Sequence, residues 1–182
     1  MEYFAIQVWT GKEDDFVRSL ALTMGVGSGA FVPKRALSIR RRGKILREER
    51  PLFPGYVFLP CDSDTFPVDK RWAIRSINHF LRFLPDSLAP RPIKEHDRAV
   101  LSHFISFGKC ADTSKVIFDE NQRIVVLEGP LKGLEGLIVR VDKRKHRAKV
   151  RLDMCRDSFL VDLGFEVMER PVKGSVDSDG KA

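Results

Sequence analysis

Residues 128–139 read Glu128-Gly129-Pro130-Leu131-Lys132-Gly133-Leu134-Glu135-Gly136-Leu137-Ile138-Val139, and this stretch decides how the second half of the chain folds. Gly129-Pro130 and Lys132-Gly133 supply a tight reversal, and Gly136 offers positive φ or close backbone approach. Leu137, Val139 and Val141 then alternate with Ile138 and Arg140, the period of a half-buried strand. On the return strand, residues 148–152, Ala148, Val150 and Leu152 take the core side. Arg140, Lys149 and Arg151 share the outer face, below a turn of Lys143, Arg144, Lys145, His146 and Arg147. Residues 123–127, 159–161 and 167–169 complete five short strands, a spacing that predicts a small β-barrel.

Upstream the period differs. Residues 3–9 form an apolar run rich in aromatic and β-branched types, which predicts a strand. Thr10-Gly11-Lys12-Glu13 has the spacing of a capping box, in which the Glu13 carboxylate reaches back to the Thr10 backbone. Phe16, Val17, Leu20, Ala21 and Met24 fall on one helical face behind it, and Gly25 stops the helix. Residues 25–29 are a glycine-rich connector without the Gly-Lys-Ser/Thr ending of a phosphate loop. Residues 30–33 predict a short strand. Residues 36–42 and 44–49 predict a hairpin turning at Gly43, and residues 56–59 a further strand behind Phe53-Pro54-Gly55. A helix over 68–77, a strand over 79–84 and an amphipathic helix over 94–107 follow. Residues 108–117, opening Gly108-Lys109-Cys110-Ala111-Asp112-Thr113-Ser114-Lys115, are small and polar and read as a linker. The expectation is α+β: an N-terminal α/β sandwich over 1–107, with an antiparallel sheet flanked by helices. The linker joins it to an SH3-like barrel over 118–170, and residues 171–182 form a disordered tail.

The chain has 182 residues, is 43% apolar and 31% charged, and carries a formal charge of +7. The charge is concentrated. Residues 34–50 hold eight basic side chains against two acidic ones, and residues 140–151 hold seven against one, so the remainder is net acidic. Two cationic hairpins on an acidic body point to a polyanion partner more strongly than a mean charge does; the competing reading is two solvated faces. No apolar run is long enough to cross a membrane. Met1-Glu2-Tyr3 lacks the layout of a signal peptide, so a cytoplasmic protein is expected. The three cysteines form no Cys-x-x-Cys, and the four histidines form no ligand cluster, so no metal or other cofactor is expected. No nucleophile and base are paired, so no enzyme activity is expected either.

Leu52-Phe53-Pro54-Gly55-Tyr56-Val57-Phe58-Leu59 is the second informative stretch. Pro54-Gly55 redirects the chain, and strand alternation puts Tyr56 and Phe58 on one face with Val57 on the other. Such aromatics are ordinary core on pattern alone. This stretch resembles the signature of the NusG N-terminal domain, and residues 128–139 resemble a KOW motif with Gly136 at its glycine. The two stand in the NusG order. The opening strand, the Arg75-Ser76 step and Pro90-Arg91-Pro92-Ile93 match as well, and the resemblance covers about residues 3 to 170.

The resemblance implies a transcription elongation factor whose first domain binds the clamp helices of RNA polymerase and suppresses pausing and termination. Carried over by position, Tyr56, Phe58, Phe83 and Phe53 are the polymerase-binding residues. The second domain of such proteins recruits RNA, Rho or a ribosomal protein. Here the turn is unusually basic, and Met154-Cys155-Arg156-Asp157-Ser158-Phe159 puts Cys155 where an aromatic is expected, which counts against Rho and the ribosomal protein. Asn78-His79-Phe80-Leu81-Arg82-Phe83 is similar to specialised antitermination paralogues of the LoaP and RfaH type, LoaP above RfaH, and the glycine-punctuated second domain predicts a stable barrel. Arg140, Lys143, Arg144, Lys145, His146, Arg147, Lys149 and Arg151 are the RNA-binding candidates, toward a nascent RNA hairpin. Arg40, Arg41, Arg42, Lys44 and Arg75 are candidates for upstream or non-template DNA. A monomer is expected. The alternatives are a housekeeping NusG-type factor that couples polymerase to Rho or the ribosome, and a ribosome-associated KOW protein.

Overall fold

The computed structural model describes residues 1–24 and 28–169. The predicted glycine connector falls largely outside them, as does the predicted tail.

The first domain is built on a three-stranded antiparallel sheet in the order β4-β1-β5: β1 (Glu2–Val8), β4 (Tyr56–Cys61) and β5 (Phe80–Phe83). Its strands are apolar on both faces because both faces are covered. Phe4, Ile6, Val8, Val57, Leu59 and Phe83 pack with Phe16 and Leu20 of α1 (Glu13–Met24) and Ile74 of α2 (Val68–Arg75). Ala5, Tyr56 and Phe58 face the other way, in a cluster with Leu101 and Phe104 of α3 (Glu95–Ile105).

Beside this sheet stand β2 (Lys34–Arg41) and β3 (Lys44–Pro51), joined by Arg42-Gly43, both at positive φ (50° and 78°). That is the two-residue primed turn whose twist matches paired strands. Ala36 and Leu37 anchor the hairpin base, while β3 is almost wholly exposed. The strand predicted over 30–33 reduces to one bridge, Phe31 to Phe58, which Pro33 cannot extend.

The capping box does not form as predicted. Glu13 is buried, and its Oε1 accepts the Gly55 N–H at 2.6 Å, tying α1 to the Pro54-Gly55 turn.

The second domain is a curled five-stranded sheet in the order β8-β7-β11-β10-β9. Two predicted boundaries move. Residues 108–117 are ordered: β6 (Cys110–Ala111) pairs in parallel with Lys34 and Arg35, and β7 (Ser114–Phe118) is a barrel strand. The small, polar composition suited a linker, but Ser114 is buried because its Oγ accepts the Leu131 N–H at 2.9 Å. The two strands predicted over 159–161 and 167–169 are one, β11 (Asp157–Val167). It runs through Gly164 where the sheet presses on the Ala36 carbonyl and Thr113. β8 (Ile124–Glu128), β9 (Ile138–Asp142) and β10 (Arg147–Met154) complete the sheet.

Gly136 is not the strained glycine. It has ordinary φ, sits in a 3-10 turn (Glu135–Leu137), and has open space around its missing Cβ. Gly129 is: its φ is +97°, and a Cβ there would lie 2.6 Å from Ser114 Cα. The β9 alternation shifts as well. Val150 pairs with Ile138 across a register shift, so Ile138 and Val141 pack inward while Leu137 and Val139 are exposed.

Candidate docking and nucleic-acid interfaces

Alternation along β4 places Tyr56 and Phe58 on one face, as expected, with Phe53 edge-on to Phe58 at 6.0 Å. Phe83 is not with them. It pairs with Ile6, faces α1 and α2, and contacts Phe66 and Phe80 at 5.3 Å. One strand step sets its side, so Phe83 supports the opposite face of the sheet and is not part of the same surface.

The Phe53–Tyr56–Phe58 face is covered by the second domain. Phe159 of β11 sits edge-on to Phe53 and to Tyr56, each at 5.4 Å. The Tyr56 hydroxyl donates to Asp157. Burial, then the Asp157 carboxylate, holds that hydroxyl well above the usual phenol range. Cys155 and Arg156, both at positive φ, make the tight β10–β11 turn beside it. Burial, with Asp97 and Asp157 nearby, pushes the Cys155 thiol up to about 12, so it stays protonated.

Three polar contacts flank this seam. His103 Nε2 lies 2.8 Å from the Pro130 carbonyl, Arg147 Nη2 donates to the Ser38 carbonyl at 2.9 Å, and Arg47 pairs with Asp112 at 2.9 Å. Phe159, Asp157 and Arg147 as closing residues were not legible beforehand. Each acts on a partner far away in the chain, and no local pattern reports such a pairing.

The cationic candidates divide by what already holds them. Lys143 Nζ lies 4.2 Å over the Phe118 ring and donates to Gln122 Oε1 at 2.6 Å. Lys149 pairs with Asp162 at 3.5 Å, and Lys145 lies 4.0 Å from Asp142. The Lys145 backbone N–H holds the Asp142 carboxyl below its ordinary value. His146 stacks on Phe165 at 5.8 Å, and Arg147 turns toward the first domain. Among the described residues Arg140, Arg144 and Arg151 have no carboxylate within ion-pair distance, and neither do Arg40, Arg41, Arg42 and Lys44. Arg75 is separate: it stacks over Trp72 of its own helix at 5.2 Å. Arg40 comes together with Arg144, Lys145 and Arg147 along one cleft.

Among the described residues no three His, Cys, Asp or Glu side chains gather as a metal site, and no helix is long and apolar enough to cross a membrane. All three cysteines are free thiols.

An aromatic face on an α+β domain, covered by a small barrel with a cationic hairpin, defines a two-domain α+β protein. The family model described as "Transcription termination factor nusG" matches residues 1–101, more than half of the chain, and the chain belongs to the NusG family. It is similar along nearly its whole length to proteins named "Transcription termination/antitermination protein NusG". That of Helicobacter pylori strain J99 is 24% identical, over 93% of this chain and 98% of that protein. That of Borreliella burgdorferi is 25% identical, over 92% and 97%. A solved structure described as "Domain interaction in Thermotoga maritima NusG" shares the fold, with a TM-score of 0.55 and 17% identity, over 90% of this chain and 93% of that one. Members of this family are transcription factors.

Proposed function

We propose that this chain binds elongating RNA polymerase through Phe53, Tyr56 and Phe58, and nascent RNA through the β9–β10 hairpin, and so suppresses pausing and termination on a restricted set of transcripts. It acts by binding and catalyses no reaction of its own. The observation that carries the reading is the aromatic face itself. Where it meets the second domain, Phe159 packs edge-on against it and the Tyr56 hydroxyl bonds Asp157, contacts that a partner of matching chemistry can replace. Aromatics at the centre of such a face are where binding energy concentrates. On the barrel, Arg140, Arg144 and Arg151 are exposed and, among the described residues, have no ion pair, so they can take phosphate oxygens.

A second reading has its own support. The full-length relatives carry the name of a termination/antitermination factor, which fits a general role in which polymerase is coupled to Rho or the ribosome. The test of the polymerase reading is binding of the full chain to purified elongation complexes. It is done in a Phe159→Ala background, so that opening the seam does not mask the effect. There Tyr56→Ala is expected to weaken binding roughly 30-fold, the cost of about 2 kcal/mol at an interface centre. Equal binding by the two proteins rules out the aromatic face as the docking surface.

A further inference from the structure

We propose that the tips of the β2–β3 and β9–β10 hairpins form one binding site for a nucleic-acid strand, assembled only while the two domains are closed on each other. The inference rests on the reading that the β9–β10 hairpin binds RNA, and it changes what the first hairpin is for. The two cationic runs lie far apart in the chain and look like separate surfaces. Folded, they face each other across a cleft of about 760 Å³. Arg40 stands with Ile39 and Ile45 on the side of the first hairpin, and Arg144, Lys145 and Arg147 stand on the other. Among the described residues no carboxylate lines this cleft. Cationic side chains on both sides suit phosphate oxygens, and the two isoleucines suit the flat faces of sugar and base, a pairing found in grooves that track single strands.

The floor of the seam shows the same excess of positive charge. Arg147 and Arg35 are set into it, and the Nε atoms of both are buried without a hydrogen-bond partner. Arg35 donates Nη1 to the Pro51 carbonyl at 2.6 Å. Burial lowers its affinity for the proton, Arg50 and Arg147 act in the same direction, and only Asp162 opposes them. Asp162 is itself 3.5 Å from Lys149. Closure therefore gathers like charges that are poorly compensated from within, and a strand of phosphates between the tips relieves that repulsion. Binding and closure are then linked. A strand held by both tips favours the closed form, and a partner on Tyr56 needs the open one, so each weakens the other by the same factor. The outer ridge of Arg140 and Arg151 stays accessible in either form.

The experiment measures binding of a fluorescein-labelled oligo(U) RNA, about 15 nucleotides long to span an ordinary single-strand site, and of the matching oligo(dT) DNA, to the full chain across a salt series. One variant removes the first tip (Arg40→Ala with Lys44→Ala), a second the other tip (Arg144→Ala with Lys145→Ala), and a third opens the seam (Phe159→Ala with Asp157→Ala). All the tip residues are exposed, and urea unfolding confirms that each variant is folded. Each tip variant is expected to weaken binding about 10-fold and to flatten the salt slope by about one for each phosphate that is no longer neutralised. In the opened chain the first-tip substitutions should have no further effect, while the second-tip substitutions keep theirs. If the second tip matters and the first does not, the shared site is wrong and the RNA reading stands. If the first tip matters equally in the opened chain, it binds alone and the shared site is wrong. If neither tip matters, the RNA reading itself falls. Binding of RNA, of DNA or of both identifies the strand; binding of neither overturns the site.

Discussion

Truncating Phe159 to alanine should open the protein. The ring lies edge-on to Phe53 and Tyr56 at 5.4 Å and is partly buried. Aromatic pairs of this geometry contribute about 0.5–1.5 kcal/mol each beyond area burial. A fully buried Phe→Ala costs about 3–5 kcal/mol, so a partly buried ring with two such pairs is worth about 2–3 kcal/mol to closure. The open form keeps none of it, so the closed-to-open ratio should fall roughly 30- to 150-fold. A ligand that needs the open face binds with an affinity scaled by the open fraction, so its apparent affinity rises by up to that factor and stops rising once the chain is open. The assay is calorimetric titration of the full chain with the polymerase clamp-helix coiled coil. Leu160→Ala is the control, because Leu160 is adjacent but 59% exposed. Unchanged or weaker binding by a folded Phe159→Ala protein would refute the view that this seam regulates access to the aromatic face.

Three further outcomes follow from the geometry. Glu13→Ala should cost about 1–3 kcal/mol in urea unfolding, because it leaves the buried Gly55 N–H without its acceptor. Gly129→Ala should cost about 2–4 kcal/mol, since a Cβ would strike Ser114 Cα at positive φ, whereas Gly136→Ala should stay within about 0.5 kcal/mol of the parent. Alkaline pH should loosen the fold. The Cys155 thiol is raised from 9.0 to about 12, and the Tyr56 hydroxyl is raised above 10.0, so both bind their protons more tightly when folded. Their contribution is complete below about pH 9 and is lost as pH climbs, first through the thiol and above about pH 10 also through the phenol. Urea midpoints between about pH 8 and 11 should fall accordingly, and Cys155→Ser should flatten the part between about 9 and 10.

Most of the fold is legible in the sequence because the signals are local. The β1 run, the α1 face, the Gly43 hairpin and the β9–β10 pair all declare themselves by period and turn residues. Among the expectations that fail, three show the physical reason most plainly. Residues 108–117 look like a linker because the stretch through Ser114 is mostly small and polar, and Ser114 is buried by a hydrogen bond to Leu131 that no pattern announces. Gly136 stands at the glycine of the motif, but the close approach is at Gly129. The resemblance groups Phe83 with Tyr56 and Phe58, and a four-residue strand offers too little alternation to show from the sequence that it faces the other way. For the candidate site, the residue types are legible and their partnerships are not. Tyr56 meeting Asp157, Arg147 reaching Ser38, and Arg40 facing Arg144 all depend on how two domains close.

The most direct test of the proposed role is transcription in vitro by purified polymerase across an intrinsic terminator, with and without the chain, on templates that do or do not encode a hairpin-forming leader RNA upstream of the terminator. The account predicts increased readthrough that requires both the chain and the leader. Readthrough without the leader would point to a general factor, and no effect of the chain on either template would contradict the account.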